Sequence, residues 1–349
     1  ETSPEDIHGM YAAQAVLTSR GGMTSHAAVI GRGIGLPCVV GASSMRFQMN
    51  KGQLTAPDGR VLKEGDEITV DGTNGIVLMG QAALLDAGHD ESFLVLMDWA
   101  DELRDINVRA NADTPADALV ARNFKAQGIG LCRTEHMFFE EGRLTVMREM
   151  IFAGTPADRA AALERLLPMQ RADFADLFRI MQGQPVCIRL LDPPLHEFLP
   201  TDRAGHRELA EALDLPLSVV TRRVEALGEY NPMLGMRGVR LGITVPEIYD
   251  MQARAIFLAT LDVLDDGTSI IPEIMIPLVS ARREVELVKA RIDAVASAVR
   301  TETGRKFNYR LGVMVETPRA ALRAAEIAPL VSFLSFGTND LTQMTYGLS

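Results

Sequence analysis

From residue 106 onward, short apolar runs alternate with longer stretches of helical periodicity, and this alternation constrains the fold more than any other feature of the chain. Asn107–Asn111, Gly128–Thr134, Pro185–Leu191, Met236–Arg240, Glu273–Leu278, Leu311–Glu316 and Val331–Gly337 read as strands. Ala116–Ala126, Arg143–Phe152, Pro156–Gln182, Ser218–Leu227, Pro246–Leu264 and Ser280–Thr303 read as helices between them. Thr317 and Pro318 cap and open a further helix. Apolar strands separated by helices mean a parallel sheet covered on both faces. Seven such units fall one short of a (β/α)8 barrel. A doubly wound open sheet is the alternative, disfavoured because no Gly-x-Gly-x-x-Gly turn follows a strand.

Barrel chemistry sits at the C-terminal ends of the strands. The polar residues expected there are Arg133, Arg189, Arg237, Glu316, Asn339 and Asp340. Arginines at three strand ends suit a phosphate or oxyanion clamp, because each guanidinium offers bidentate donors. The carboxylates Glu316 and Asp340 suit Mg²⁺, which prefers hard oxygen ligands. Together they fit a substrate that is both phosphorylated and carboxylated. Any one of these residues could instead form a structural ion pair, the expected role of Arg109 and Arg240.

The first 80 residues read differently. Short β runs occur at Ala15–Thr18, Pro37–Val40, Gln53–Ala56, Glu67–Asp71 and Gly75–Met79, separated by Asp58-Gly59 and Asp71-Gly72-Thr73-Asn74-Gly75 turns. Ser3 and Pro4 open a helical turn to Tyr11. Within this region Gly21-Gly22-Met23-Thr24-Ser25-His26 leads into the small apolar run Ala27-Ala28-Val29-Ile30. Thr24 or Ser25 can cap a helix there. His26 then stands in its first turn, where free N–H groups and the helix dipole favour an anion. An imidazole nitrogen can carry a phosphoryl group covalently. Structurally, the same histidine could simply open a buried helix. His8 and His89 belong to no constellation. Residues 81–106 carry helical periodicity and read as a linker, so the expected organisation is a domain over 1–80, a linker over 81–106 and a barrel over 107–349.

Composition excludes several classes. A formal net charge of −11 offers no basic field for nucleic acid. Three cysteines, Cys38, Cys132 and Cys187, make neither a disulfide framework nor a zinc site, and a reducing cytosol is the expected location. No apolar run reaches membrane-spanning length. The start, Glu-Thr-Ser-Pro-Glu-Asp, resembles neither a signal peptide nor a translation start, and the chain is expected to be part of something longer.

Gly21-Gly22-Met23-Thr24-Ser25-His26-Ala27-Ala28-Val29, followed by Gly35-Leu36-Pro37-Cys38-Val39-Val40-Gly41, resembles the phosphohistidine segment of the phosphoenolpyruvate-utilising enzymes. Residues 128–139, 189–200, 231–238, 314–320 and 335–343 resemble the same family, so the likeness spans nearly the whole chain. Met23, where phosphoenolpyruvate synthase and enzyme I have arginine, points to the pyruvate, phosphate dikinase branch. So do Arg133-Thr-Glu-His-Met-Phe-Phe139 and His196-Glu-Phe-Leu-Pro200.

The resemblance implies an α/β architecture: a swivelling β/β/α phosphohistidine domain, short of its first strands, then a TIM-type barrel lacking its last strand. It implies that His26 is the tele-phosphohistidine and that Arg133 and Arg189 grip the transferring phosphoryl group with support from Arg237. Glu316 and Asp340 would hold Mg²⁺, and Gly337, Thr338 and Asn339 would line the substrate site. Thr24 matches a threonine modified by a regulatory kinase/phosphorylase; a phosphate there would repel an incoming phosphoryl group.

The implied reaction converts ATP, phosphate and pyruvate to AMP, diphosphate and phosphoenolpyruvate. ATP would be used through an ATP-grasp domain not found in these residues, and a homodimer is implied. The family's proton donor lies in a Cys-Gly-Glu-His motif that does not occur here, and neither Cys132 nor Cys187 is given that role. The alternatives are phosphoenolpyruvate synthase, an enzyme I-like carrier passing phosphate to a protein, or a catalytically inactive barrel fragment.

Overall fold

The structure, a computed structural model, describes residues 9–10, 13–23, 25–33, 35–48, 51–82, 91–139, 141–229, 231–267 and 269–347. It forms two compact units, Glu1–Arg104 and Asp105–Ser349. Ser3, Pro4, His8, Thr24 and His89 lie outside the described residues. Among the described residues no helix is long and apolar enough to cross a membrane.

In the first unit β1 (Val16–Leu17) pairs in parallel with β2 (Cys38–Val39), and α1 (His26–Gly33) connects them. β3 (Arg46–Gln48), β4 (Gln53–Thr55) and β5 (Val61–Lys63) form an antiparallel meander, and β6 (Ile68–Asp71) with β7 (Ile76–Met79) a hairpin. Among the described residues Met10, Val16 and Ala27 form a buried cluster, with Ile30, Leu36, Cys38 and Val40 packed against it. One contact is very tight. A Cβ on Gly31 of α1 would stand 2.1 Å from Cys38 Sγ on β2, so only glycine lets helix and strand approach this closely. The helix α2 (Glu91–Leu103) occupies part of the expected linker.

The second unit alternates strand and helix. β8 (Ala110–Asn111) leads to α3 (Pro115–Asn123), and β9 (Ile129–Arg133) to α4 (Glu141–Phe152) and α5 (Pro156–Met181). β10 (Val186–Arg189) is followed by α6 (Arg203–Ala212), α7 (Leu217–Leu227), α8 (Gly238–Thr244) and α9 (Pro246–Asp265). β11 (Glu273–Ile276) leads to α10 (Arg282–Thr303), and β12 (Arg310–Val315) to α11 (Pro318–Leu322) and α12 (Ala324–Ile327). β13 (Phe333–Phe336) leads to α13 (Thr338–Tyr346).

The helices start where capping chemistry allows. Thr114, Thr155 and Thr317 each accept a backbone N–H with their side-chain oxygen, and a proline follows each of them. All residues of β10 and β11 are buried, as a parallel sheet covered on both faces requires.

The six strands pair in parallel in the order β8-β9-β10-β11-β12-β13 and curl as part of a barrel. The order never reverses, so this is no doubly wound sheet. The expected strand over Met236–Arg240 does not form. β10 pairs directly with β11, Cys187 opposite Glu273, which leaves no slot between them. Gly238 instead takes a left-handed φ of 56° and opens α8. Its N–H donates to Asp192 O at 2.8 Å, and the Val239 N–H to Pro277 O at 3.1 Å.

One face of the strands shows a graded interior. At the N-terminal end Glu273 meets Arg109 at 2.5 Å and Arg310 at 3.4 Å. Cys187, Met275 and Met314 fill the middle, with Leu131 and Phe333 against them. Charged groups return at the C-terminal ends.

Candidate active site

Asp192 lies at the centre of that C-terminal end. It stands three residues beyond Arg189, and its side chain is 2% exposed, so its charge must be met by protein. Arg189 Nη1 lies 3.0 Å from its Oδ2 and Arg237 Nη2 2.6 Å from the same oxygen. Arg189 also pairs with Glu135, and Arg237 reaches Asp340 at 3.4 Å. The backbone beside Asp192 is pinned from below. The Leu191 N–H donates to Gln252 Oε1 at 2.8 Å, and the Leu191 carbonyl accepts from Tyr249 Oη at 2.8 Å.

Glu316 follows β12 and is 1% exposed. Its Oε1 accepts the Leu278 N–H at 2.7 Å. Leu278 is fully buried with φ 57°, a left-handed conformation that costs a leucine roughly 1–2 kcal/mol. Gly337 makes room on the other side: a Cβ there would lie 2.4 Å from Glu316 Oε2. Burial pushes the Glu316 carboxyl up to about 8, and the nearby Asp192 charge adds to the rise. The Leu278 N–H and Arg189 act in the opposite sense.

Oxygens of Asp192, Glu316 and Asp340 all lie within 4.8 Å of one another. Three hard donors at this spacing fit Mg²⁺. A divalent cation would also relieve the repulsion that raises Glu316. Two buried atoms nearby, Glu135 Oε2 and Arg189 Nε, have no hydrogen-bond partner among the described residues. Buried groups of this kind are satisfied by a ligand or water.

Arg133 ends β9 directly across from Arg189, its Cα partner on β10. Its backbone N–H donates to Asp113 Oδ1 at 2.6 Å and its Nη1 to Asp113 Oδ2 at 3.3 Å. His136 Nδ1 lies 2.8 Å from the same Oδ2. Burial alone would raise Asp113, but the hydrogen bond from His136, the Arg133 N–H and the two neighbouring cations hold its carboxyl below the ordinary range. The hydrogen bond to Asp113 raises His136 in turn.

The second unit thus brings together Arg133, Arg189, Arg237, Glu316, Gly337 and Asp340, with the exposed Thr338 and Asn339 in the first turn of α13. Asp192, Glu135, Asp113 and His136 join them without having been singled out in the sequence. The three-residue step from Arg189 to Asp192 at a strand end is the signal that marks Asp192. Arg109 is the structural ion pair expected of it, while Arg240 donates to the Met233 and Gly235 carbonyls. Burial lifts the thiols of Cys132 and Cys187, the latter to about 12, so neither is a ready acid or nucleophile.

In the first unit His26 is the first residue of α1 and half-buried. Its Nδ1 is buried with no partner among the described residues. Ser25 precedes it, with its N–H donated to Gly22 O at 2.9 Å. Gly41 packs against this loop: a Cβ on Gly41 would stand 2.5 Å from Gly21 O.

Two family models match this chain: "PEP-utilising enzyme, PEP-binding domain" over residues 89–349 and "PEP-utilising enzyme, mobile domain" over residues 1–75. Pyruvate, phosphate dikinase of Rhizobium meliloti (strain 1021) is 56% identical over 350 residues, covering 100% of this chain and 39% of the relative. The protein of that name from Rickettsia prowazekii (strain Madrid E) is 50% identical, with 100% and 40% covered. The chloroplastic one from Flaveria pringlei is 52% identical over 352 residues, with 100% and 37% covered. The chain spans about two-fifths of the length of the curated relatives it matches. With its second unit matched along its length and its charged groups gathered at the strand ends of a part-barrel, the chain belongs to the PEP-utilising enzymes.

Proposed function

We propose that this chain is the phosphohistidine and phosphoenolpyruvate-binding portion of a pyruvate, phosphate dikinase. Its part of the reaction is reversible phosphoryl transfer between His26 and pyruvate or phosphoenolpyruvate. The observation that carries this reading is the convergence of Arg133, Arg189 and Arg237 with Asp192, Glu316 and Asp340 at the ends of parallel strands.

Arg133 and Arg189 would bind the phosphoryl oxygens, with Arg189 Nε, which has no partner among the described residues, as one donor. Asp192 orients Arg189 and Arg237 through its two ion pairs. Asp192, Glu316 and Asp340 would hold Mg²⁺, and Gly337 leaves the space in which Glu316 is set. Bound there, Mg²⁺ would supply positive charge opposite the developing enolate. The N-terminus of α13, with Thr338 and Asn339, would offer hydrogen bonds to substrate oxygens. His26 would accept the phosphoryl group at its Nε2, the first turn of α1 stabilising the anion. Thr24 would be the site at which a regulatory phosphate blocks that acceptance. ATP and inorganic phosphate would be used by other parts of the full-length protein, in the cytosol, as a dimer.

The test is transfer from radiolabelled phosphoenolpyruvate with Mg²⁺ to the full-length protein and to its His26→Ala variant. Acid-labile label on the first and none on the second is the expected result. Label that survives in His26→Ala, or no label on the full-length protein, would sink the reading. A requirement for inorganic phosphate in the complete reaction separates it from phosphoenolpyruvate synthase.

A further inference from the structure

The site carries more negative than positive charge. Arg133, Arg189 and Arg237 face the carboxylates Asp113, Glu135, Asp192 and Asp340, with the raised carboxyl of Glu316 beside them. A ligand bearing both a phosphoryl group and a carboxylate adds further negative charge. Any additional cation at the rim therefore matters.

His136 occupies that position. Its ring lies in the short helical turn Thr134–Phe138 after β9, and its side chain is 45% exposed. Nδ1 meets Asp113 Oδ2, the same oxygen that Arg133 Nη1 approaches, and the imidazole contact is the shorter, 2.8 against 3.3 Å. One carboxylate oxygen is thus shared between a fixed cation and a titratable one. Among the described residues the other charged groups facing the ring are Arg133 and Glu135 on its own segment. Helix α4, which packs on that segment, turns Arg143 towards Asp173 and the Met137 carbonyl.

We propose that His136 is a positioning residue of the phosphoryl site: through Asp113 it sets how much of the Arg133 charge is free to meet the substrate. This rests on the reading above, in which Arg133 meets the phosphoryl group. With the imidazole neutral, Arg133 alone balances Asp113. With the imidazole protonated, His136 meets Asp113, and the Arg133 guanidinium is left with its charge uncompensated, directed to an incoming anion. No proton passes to substrate in this scheme. Proton and anion simply favour each other's binding, by the same factor in both directions.

The experiment uses the full-length protein carrying this chain, labelled at its histidine rings. The His136 ring signal, assigned by its loss in His136→Asn, is titrated with and without saturating phosphoenolpyruvate and Mg²⁺. The expected result is a rise of about one pH unit in its midpoint, equivalent to roughly tenfold tighter binding to the protonated protein. In parallel, the affinity for phosphoenolpyruvate is measured calorimetrically across pH for wild type and His136→Asn. The asparagine amide can still donate to Asp113 but carries no charge. The ligand's own titration is common to both proteins, so the difference between them isolates His136. A flattened pH dependence in the variant supports the proposal. A midpoint that saturating ligand does not move, or identical pH profiles, overturns it while leaving the proposed function intact. No binding by wild type at any pH overturns both. Should His136→Asn fail to fold, Asp113→Asn serves in its place, with the same flattening expected.

Discussion

Leu278 donates its backbone N–H to Glu316 Oε1 across 2.7 Å, and it holds a left-handed φ of 57° to do so. On its far side Glu316 is confined by Gly337. Gly337→Ala would put a methyl group 2.4 Å from Glu316 Oε2 and 2.7 Å from its Cβ. We expect a destabilisation of about 1–3 kcal/mol and a loss of Mg²⁺ affinity of roughly tenfold or more. Urea unfolding and metal titration by calorimetry measure the two. An unchanged affinity would mean that Glu316 is no ligand.

Ionising Glu316 works against folding. Its folded value of about 8 lies above the usual unfolded carboxyl value of about 4.3. The cost is absent below the unfolded value and grows as pH rises to about 8. Glu316→Gln should therefore match wild type near pH 4 and exceed it in metal-free solution near pH 9, by roughly 2 kcal/mol or more. It should also stop binding Mg²⁺ at this site. Equal stability at both pH values would contradict the buried, repelled carboxylate described here.

Asp192→Asn leaves Arg189 and Arg237 buried with their shared anion gone. Their side chains are 10% and 11% exposed, so water cannot replace it. Breaking such a pair costs about 3 kcal/mol. Transfer from phosphoenolpyruvate should fall by orders of magnitude, since two positioned guanidiniums and one proposed metal ligand are disturbed together. A variant with near-normal stability and turnover would remove Asp192 from the centre of the site.

In the first unit, Gly31→Ala would bring a methyl group to within 2.1 Å of Cys38 Sγ. A loss of about 1–3 kcal/mol is expected. Cys38→Ala removes the obstructing sulfur, so the double variant should recover part of that loss, with a coupling of about 1 kcal/mol or more. Additive effects would show that the helix finds another way to pack.

Arg189, Glu316 and Asp340 were legible from the sequence because strand–helix alternation locates the strand ends, where barrel chemistry collects. Asp192 was missed, because it sits past β10 in Leu191-Asp192-Pro193-Pro194, where no periodicity places a side chain and only the three-residue step from Arg189 points to it. The spurious strand at Met236–Arg240 has a convincing alternation. Its failure depends on Gly238, whose positive φ and closeness to Leu278 come from the loops packed around it. The sharing of Asp113 by Arg133 and His136 joins residues on successive strand ends, and only the register of β8 on β9 brings them together. Thr24 lies outside the described residues.

The sequential order of the strands has a consequence for a chain emerging amino-terminus first from the ribosome. Glu135 is made before Arg189, and Asp192 before Arg237, so each cation meets an anion already in place. Glu316 and Asp340 follow, the latter closing on Arg237. A growing barrel of this kind offers Arg133, Arg189 and Arg237 each a carboxylate already synthesised, and only afterwards adds Glu316 and Asp340.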